Sequence, residues 1–464
     1  MLKRLMSVSA MVLAGGLVGR LVSHPMVMAH EDDITRLVAD NASGFVRTVD
    51  LNGPLDLDNP FFKDLGTNGR SCFSCHRPGQ GWTITPETVQ HRFEESRGLD
   101  PIFRTNDGSN CEGADVSTLG KRREAYSLLL DRGLIRVGID VPSGAEFVID
   151  SVDDPYHCGA PLHAASMYRR PLPSTNLRFL SAVMWDGRES SPTTTVLQDL
   201  AKQAGDATTG HAQASLHLTP QEAQAIVAFE TGLFTAQARD TRAGRLYDDG
   251  AIGGPVALSA QPFFIGINDP VGLNATGVAF DPRAFTLFDA WAHGDDDDVT
   301  RHRRAIVRGQ EIFNTKPIVI TGVAGLNNQT FSNGVTVPEP FTGTCTTCHD
   351  APNAGDHSVK APLNIGLTDA SRRTPDMPLY TLRRLSTGET VKTTDPGRAM
   401  ITGKWADVGK FKGPILRALA ARAPYFHNGF AASLEEVITF YDTRFNVHLT
   451  AQDKADLAAF LRAL

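Results

Sequence analysis

Two short stretches carry most of the chemistry in this chain: "SCFSCHR" from Ser71 to Arg77 and "TCTTCHD" from Thr344 to Asp350. Each holds a Cys-x-x-Cys-His segment, and together they use four of the 6 cysteines in 464 residues. This arrangement attaches c-type haem. The two thiols add across the vinyl groups, the spacing lets both reach one edge of the ring, and the histidine gives a nitrogen to the iron. A zinc site would need a second ligand pair of similar spacing beside each motif. A thiol–disulfide exchange pair would not need the histidine twice. The expectation is two covalent haems, one on Cys72, Cys75 and His76, the other on Cys345, Cys348 and His349.

The remaining cysteines are Cys111 in "DGSNCEG" and Cys158 in "YHCGAP". In an oxidising compartment they most simply pair with each other, and two buried free thiols are the alternative. Such a bridge is worth about 3–4 kcal/mol in the chain-entropy model. The N-terminus agrees with export. Lys3 and Arg4 precede an uncharged, mostly apolar run from Leu5 to Gly19, and Val27-Met28-Ala29 offers small residues for cleavage after Ala29. That is the plan of a signal peptide, which in a bacterium leads to the periplasm. A formal charge of −7 argues against general nucleic-acid binding, and a 41% apolar fraction describes a globular chain. No run approaches the ~18 apolar residues that a membrane span needs.

The elements that must position the two sites read as helices. Thr219-Pro-Gln-Glu222 is a capping box before Ile226, Val227 and Phe229. Asp298 can cap a helix bearing Val299, Ile306 and Phe313 on one stripe. Ser433-Leu-Glu-Glu436 is a second capping box, and Thr450 starts a last helix with Leu457, Phe460 and Leu461 at helical spacing. Strand signals are few and short, so the expected architecture is mostly α, with two cytochrome c-like haem domains and long loop insertions. After a leader at 1–29, the first domain covers 30–254, with an insertion at about 100–173, and the second covers 255–464. The acidic run Asp295–Asp298 lacks the alternation of a calcium loop and reads as a solvated helix start.

Several stretches, in order, resemble the bacterial dihaem cytochrome c peroxidases and the MauG-type enzymes: "LGTNGRSCFSCHRPGQGWT" (Leu65–Thr83), "MWDGRE" (Met184–Glu189), "RGQEIF" (Arg308–Phe313), "DPGRAMITGKWADVGKFKGPILRAL" (Asp395–Leu419) and "RAPYFHNGFAASLEEVITFY" (Arg422–Tyr441). The resemblance implies a reactive N-terminal haem on His76 that meets hydrogen peroxide, and a C-terminal haem on His349 that stores or relays electrons. It also implies a charge-carrying tryptophan at Trp185. The electrons would come from a small periplasmic redox protein or from residues of a protein substrate.

Two departures stand out against that pattern. The peroxidases carry a methionine ligand fourteen residues after the histidine of "PY-x-H"; here that position is Tyr441, as in the MauG-type enzymes. A thioether favours ferrous iron, whereas a phenolate oxygen favours higher oxidation states. An ordinary core tyrosine is the alternative. The family's distal glutamate, ten residues after a "QA" pair, corresponds to Gln213, and an amide cannot shuttle a proton. His211 could do so, or could bind the iron instead; His91 is a rival ligand. The family's interdomain calcium is opposed by Arg169, Arg170 and Arg422, which stand where it takes neutral ligands. A non-enzymatic dihaem electron carrier with both irons six-coordinate is the competing function.

Overall fold

The computed structural model describes residues 37–464 except Ala160, Leu273, Ala275, Asp295 and Asp296; the expected leader at 1–29 and part of the acidic run lie outside the described residues. Six helices exceed ten residues among the described ones: α1 (Pro86–Ser96), α2 (Val196–Gly210), α3 (Pro220–Gly232), α4 (Asp298–Thr315), α5 (Leu434–Phe445) and α6 (Ala451–Arg462). Their starts follow local capping chemistry. Thr219 and Glu222 form the reciprocal box of α3, and Thr450 and Asp453 form that of α6. Two starts differ in detail. Asp297, not Asp298, caps α4 by accepting from the Thr300 N–H, because the helix begins one residue earlier than its stripe suggests. At α5 the Ser433 hydroxyl accepts from the Glu436 N–H, but the Glu436 carboxylate reaches back to Ala432 and not to the cap.

The largest core lies where α4 crosses α6. Ile306 and Phe313 of α4 pack with Leu457, Phe460 and Leu461 of α6 and with Phe285 and Phe288. Burying each such side chain stabilises the fold by about 1.5–3 kcal/mol. Gly309 makes the crossing possible: a Cβ there would lie 2.0 Å from the Asp456 carbonyl oxygen. The glycine of "RGQEIF" is therefore a packing requirement, and Gly309→Ala would push the helices apart.

The expectation of a mostly α fold needs correcting. Among the described residues helix, short 3₁₀ turns included, accounts for 31%, and strand for 16%. A four-stranded sheet runs Val38–Asn41, Gly44–Asp50, Leu233–Asp240, Gly244–Arg245. Its third strand follows α3 directly and is buried on both faces, so it lacks the alternation that betrays a half-exposed strand. The stretch at 100–173, read as loop-rich, instead holds helices Leu119–Ala125 and Ser127–Arg132 and the antiparallel pair Ile135–Asp140 and Ala164–Arg169. Its strand Phe147–Asp153 pairs with Leu379–Arg384, far along the chain. Such long-range partners leave no local signature. A Cys111–Cys158 disulfide, Cα atoms 5.3 Å apart, ties this stretch together. Gly254, near which the boundary is expected, is the first residue of a short helix, Gly254–Ser259. Among the described residues no helix is long and apolar enough to cross a membrane.

Candidate functional site

Both Cys-x-x-Cys-His segments fold into the same local structure. Cys72–Ser74 and Cys345–Thr347 are single 3₁₀ turns, each closed by a reciprocal cap, Ser71 with Ser74 and Thr344 with Thr347. In each the histidine N–H donates to the carbonyl of the first cysteine, Cys72 at 3.1 Å and Cys345 at 3.2 Å. The turn thereby gathers two thiols and an imidazole at one cavity. All four thiols are free. Burial pushes every one of them up, Cys345 and Cys348 to about 12. Reactive exchange cysteines are shifted the opposite way.

The imidazoles are prepared as ligands. Nδ1–H of His76 donates to the Trp82 carbonyl at 2.9 Å, and Nδ1–H of His349 to the Gly355 carbonyl at 2.6 Å. Burial pushes both rings down to about 4, so they stay neutral and leave Nε2 with its lone pair. A backbone acceptor on the far nitrogen is how metal-binding histidines are oriented. The adjoining cavities enclose ≈ 1540 and ≈ 1900 Å³ of space between atoms, solvent at their mouths included. Two protonated thiols, a fixed neutral imidazole and a space of this size fit a covalent haem at each site.

The first cavity has a polar wall opposite apolar ones. His211, at the C-terminal end of α2, lines it with 39% of its side chain exposed. Its Nδ1–H donates to Asp107 at 2.5 Å, and Asp107 also accepts from Arg70. Burial works to raise the Asp107 carboxyl, but the His211 hydrogen bond and the Arg70 guanidinium outweigh it and hold the group below the usual carboxylate range. Asp107 is therefore an anion that orients His211 through Nδ1, and among the described residues His211 Nε2 has no hydrogen bond. Glu230 of α3 also lines this cavity; burial pushes it up to about 8, and its Oε2 has no partner.

The second cavity is walled mostly by apolar side chains, among them Ile312, Ile320, Val323, Leu363, Val437 and Ile438, and shares Arg170, Lys412 and Arg422 with the first. Tyr441 lines it from α5, its ring set against Phe426, Phe440 and Phe445. Among the described residues its hydroxyl has no hydrogen-bond partner, as a satisfied core tyrosine would. Burial pushes the phenol above its ordinary value, and the nearby Cys348 and Cys345 add to the shift.

Trp185 lines both cavities. Its Nε1–H donates to the Arg170 carbonyl at 2.8 Å, and its ring meets His427 edge-on at 6.2 Å.

No protein-family model matches the sequence. Over 197 residues the chain is 30% identical to a protein named cytochrome-c peroxidase IdrP1 of Pseudomonas sp. (strain SCT), covering 38% of this chain and 43% of that protein. It is 28% identical over 123 residues to cytochrome c551 peroxidase of Nitrosomonas europaea, covering 26% and 30%. Over these stretches the chain is similar to proteins named cytochrome c peroxidases. It spans less than half the length of these curated relatives. A solved structure described as a MauG-like protein associated with microbial copper homeostasis aligns over 92% of this chain and 93% of that one, at 17% identity and a TM-score of 0.39.

The structure also places the remaining residues singled out in the sequence. Gln213 is exposed, with φ of 55°; its side chain accepts from Asn68 at 3.3 Å, and it does not line the cavity. His91 lies on the open face of α1 beside Glu95, 71% exposed, away from both cavities. Arg170 donates to the carbonyls of Ile84, Arg132, Arg422 and Ala423, so a guanidinium sits among the carbonyls where the resemblance places calcium. Arg70, Asp107 and Glu230 went unread in the sequence. Asp107 sits in "TNDGS", which looks like any turn, while an acid inside the apolar helix "AIVAFETG" was a visible signal for Glu230.

Proposed function

We propose that this protein is an exported, periplasmic dihaem oxidoreductase of the peroxidase/MauG type that reduces hydrogen peroxide at the first cavity. Cys72, Cys75 and His76 would hold one haem, and Cys345, Cys348 and His349 the other, with Tyr441 as second ligand; bound haem iron supplies the redox chemistry at both sites. Peroxide takes two electrons and two protons to give two waters, so the first cavity needs a proton carrier. His211 fills that role. Its Nδ1–H is fixed on anionic Asp107, and its Nε2 accepts a proton from one peroxide oxygen and returns it to the other. Arg70 keeps Asp107 ionised and so keeps the imidazole in one tautomer. Gln213 takes no part in this scheme.

The second cavity is lined mostly by apolar side chains and by two phenols; the Tyr425 hydroxyl donates to the Leu419 carbonyl, which leaves Tyr441 as the one suited to storage of an oxidising equivalent. Trp185, in the wall common to both, carries charge between them. Electrons arrive from a small redox protein or from residues of a protein substrate. The observation that carries the reading is this pairing of a cavity equipped for proton transfer with an apolar one across a shared tryptophan.

A second reading rests on the same hydrogen bond. An imidazole held by a carboxylate also suits an axial ligand, and with His211 on the iron the protein is an electron carrier. The ferric spectrum separates the two. The peroxidase reading expects one high-spin haem that changes within the mixing time of stoichiometric peroxide, followed by oxidation at the second site; two low-spin haems indifferent to peroxide sink it.

A further inference from the structure

The cations lining the two cavities fall into two groups. Lys63, Arg70, Arg169, Arg188 and Lys316 each have a carboxylate within ion-pair distance: Asp58, Asp107, Asp186 with Asp395, Asp186, and Asp453. Arg170, Lys412 and Arg422 have none among the described residues, and these three are the cations that line both cavities. Their hydrogen bonds go to carbonyls: Lys412 Nζ to Ala182 at 2.9 Å, and Arg422 to Ile415 at 2.5 Å, with the buried Nε of Arg422 left unpartnered.

That arrangement is costly as it stands. Burial pushes Arg170 down to about 9, with the neighbouring Arg422 charge adding to the effect, and pushes Arg422 to about 10 and Lys412 to about 8. Asp356 attracts Lys412 only from beyond ion-pair range, and burial holds Asp356 well above the usual carboxylate range. Buried charges are retained when something of opposite sign meets them. Each haem brings two propionate carboxylates, and the three cations stand in the one wall both cavities share.

We propose that Lys412 and Arg422, backed by Arg170, are a common carboxylate clamp that takes a haem propionate from each cavity, so that the two porphyrins turn their acidic edges toward the wall containing Trp185. The proposal rests on the two-haem reading above. Adding an electron to an iron adds negative charge, which a nearby desolvated cation favours. A shared clamp therefore tunes both irons together, whereas a residue serving only local packing would not.

The test uses the purified dihaem holoprotein and four variants: Lys412→Met, Arg422→Gln, and the charge-keeping Lys412→Arg and Arg422→Lys. Haem content by mass comes first, then both midpoint potentials by spectroelectrochemistry and the propionate bending bands by resonance Raman. Each neutralising variant is expected to lower both potentials and shift the bands, and the charge-keeping variants to retain wild-type values. Two haems with unmoved potentials and bands, or a shift confined to one haem, overturn the clamp and leave the two-haem reading intact. Fewer than two haems in the wild type overturns that reading and the clamp with it. Should a neutralising variant fail to fold, the charge-keeping variant at the same position still decides: bands unlike those of the wild type, with potentials unmoved, argue for shape and against charge.

Discussion

The two cavities start from the same turn, share one wall, and diverge in the rest of what lines them. Each begins with a capped 3₁₀ turn, two protonated thiols and a neutral imidazole tied to a carbonyl. Facing His76 there is a hydrogen-bonded histidine, an anionic aspartate and a buried arginine. Around His349 the lining is mostly aliphatic and aromatic, with Tyr441 among it and no hydrogen-bonded histidine–aspartate pair like that of the first cavity among the described residues. Repetition of a motif thus fixes where a cofactor is attached, while the residues across from it decide what the cofactor is for. Proton-coupled chemistry needs groups that titrate or shuttle protons; charge storage is better served where water is kept out.

The harshest way to break the comparison is to remove one attachment at a time. Cys72→Ala with Cys75→Ala should leave one covalent haem by mass and abolish reaction with peroxide. Cys345→Ala with Cys348→Ala should also leave one haem, yet keep the first spectral response to peroxide while turnover with an electron donor is lost. Equal loss of the first response in both would show that the cavities do not divide the work.

The next effect is confined to the polar wall. His211→Ala should slow the peroxide reaction by about 10²–10⁴-fold, the usual worth of a general acid–base group. Asp107→Asn should cost less, because Nε2 survives while its tautomer is no longer enforced. Stopped-flow rates check both, and the sign is diagnostic: if His211 were an axial ligand, its removal would open the iron and speed the reaction.

On the apolar side, Tyr441→Phe should raise the potential of the second haem by withdrawing an oxygen ligand that favours oxidised iron. The loss of the hydroxyl itself should hardly touch folding, since it leaves no partner stranded. A potential that stays put, with or without a lowered melting temperature, would make Tyr441 a structural residue and not a ligand.

The two Cys-x-x-Cys-His turns can be read from the sequence because they are local: spacing alone brings Cys72, Cys75 and His76 together. Helix starts were legible for the same reason, down to the reciprocal Thr219–Glu222 cap. What stayed hidden depends on distant partners. Asp107 has meaning only once His211, from a different element, is placed against it. The strand Leu233–Asp240 is buried on both faces and shows no period. The insertion looked loop-rich because its strand Phe147–Asp153 finds its neighbour only at Leu379–Arg384. Gln213 misled in the other direction. Its sequence offset matched a catalytic position, but the chain leaves α2 at His211 and turns Gln213 outward.

The smallest effect isolates Glu230, the one acid that the first cavity keeps without a partner oxygen. Its carboxyl is raised from 4.5 to about 8 by burial. Between those values the folded protein holds a proton that the unfolded chain has released, so stability must fall as pH rises through that window. The slope contributed by one such group approaches about 1.4 kcal/mol per pH unit and vanishes above the folded value, where both states are ionised. Glu230→Gln removes the titration and keeps the shape. Urea unfolding of both holoproteins at a series of pH values should therefore show the variant gaining on the wild type as pH rises from about 4.5 to about 8, then holding a constant lead. Other titrating groups are common to both proteins and cancel in the difference. Parallel curves would mean that the carboxylate is ionised and paired in the loaded cavity, and the second polar feature of the first site would then be a fixed charge instead of a proton store.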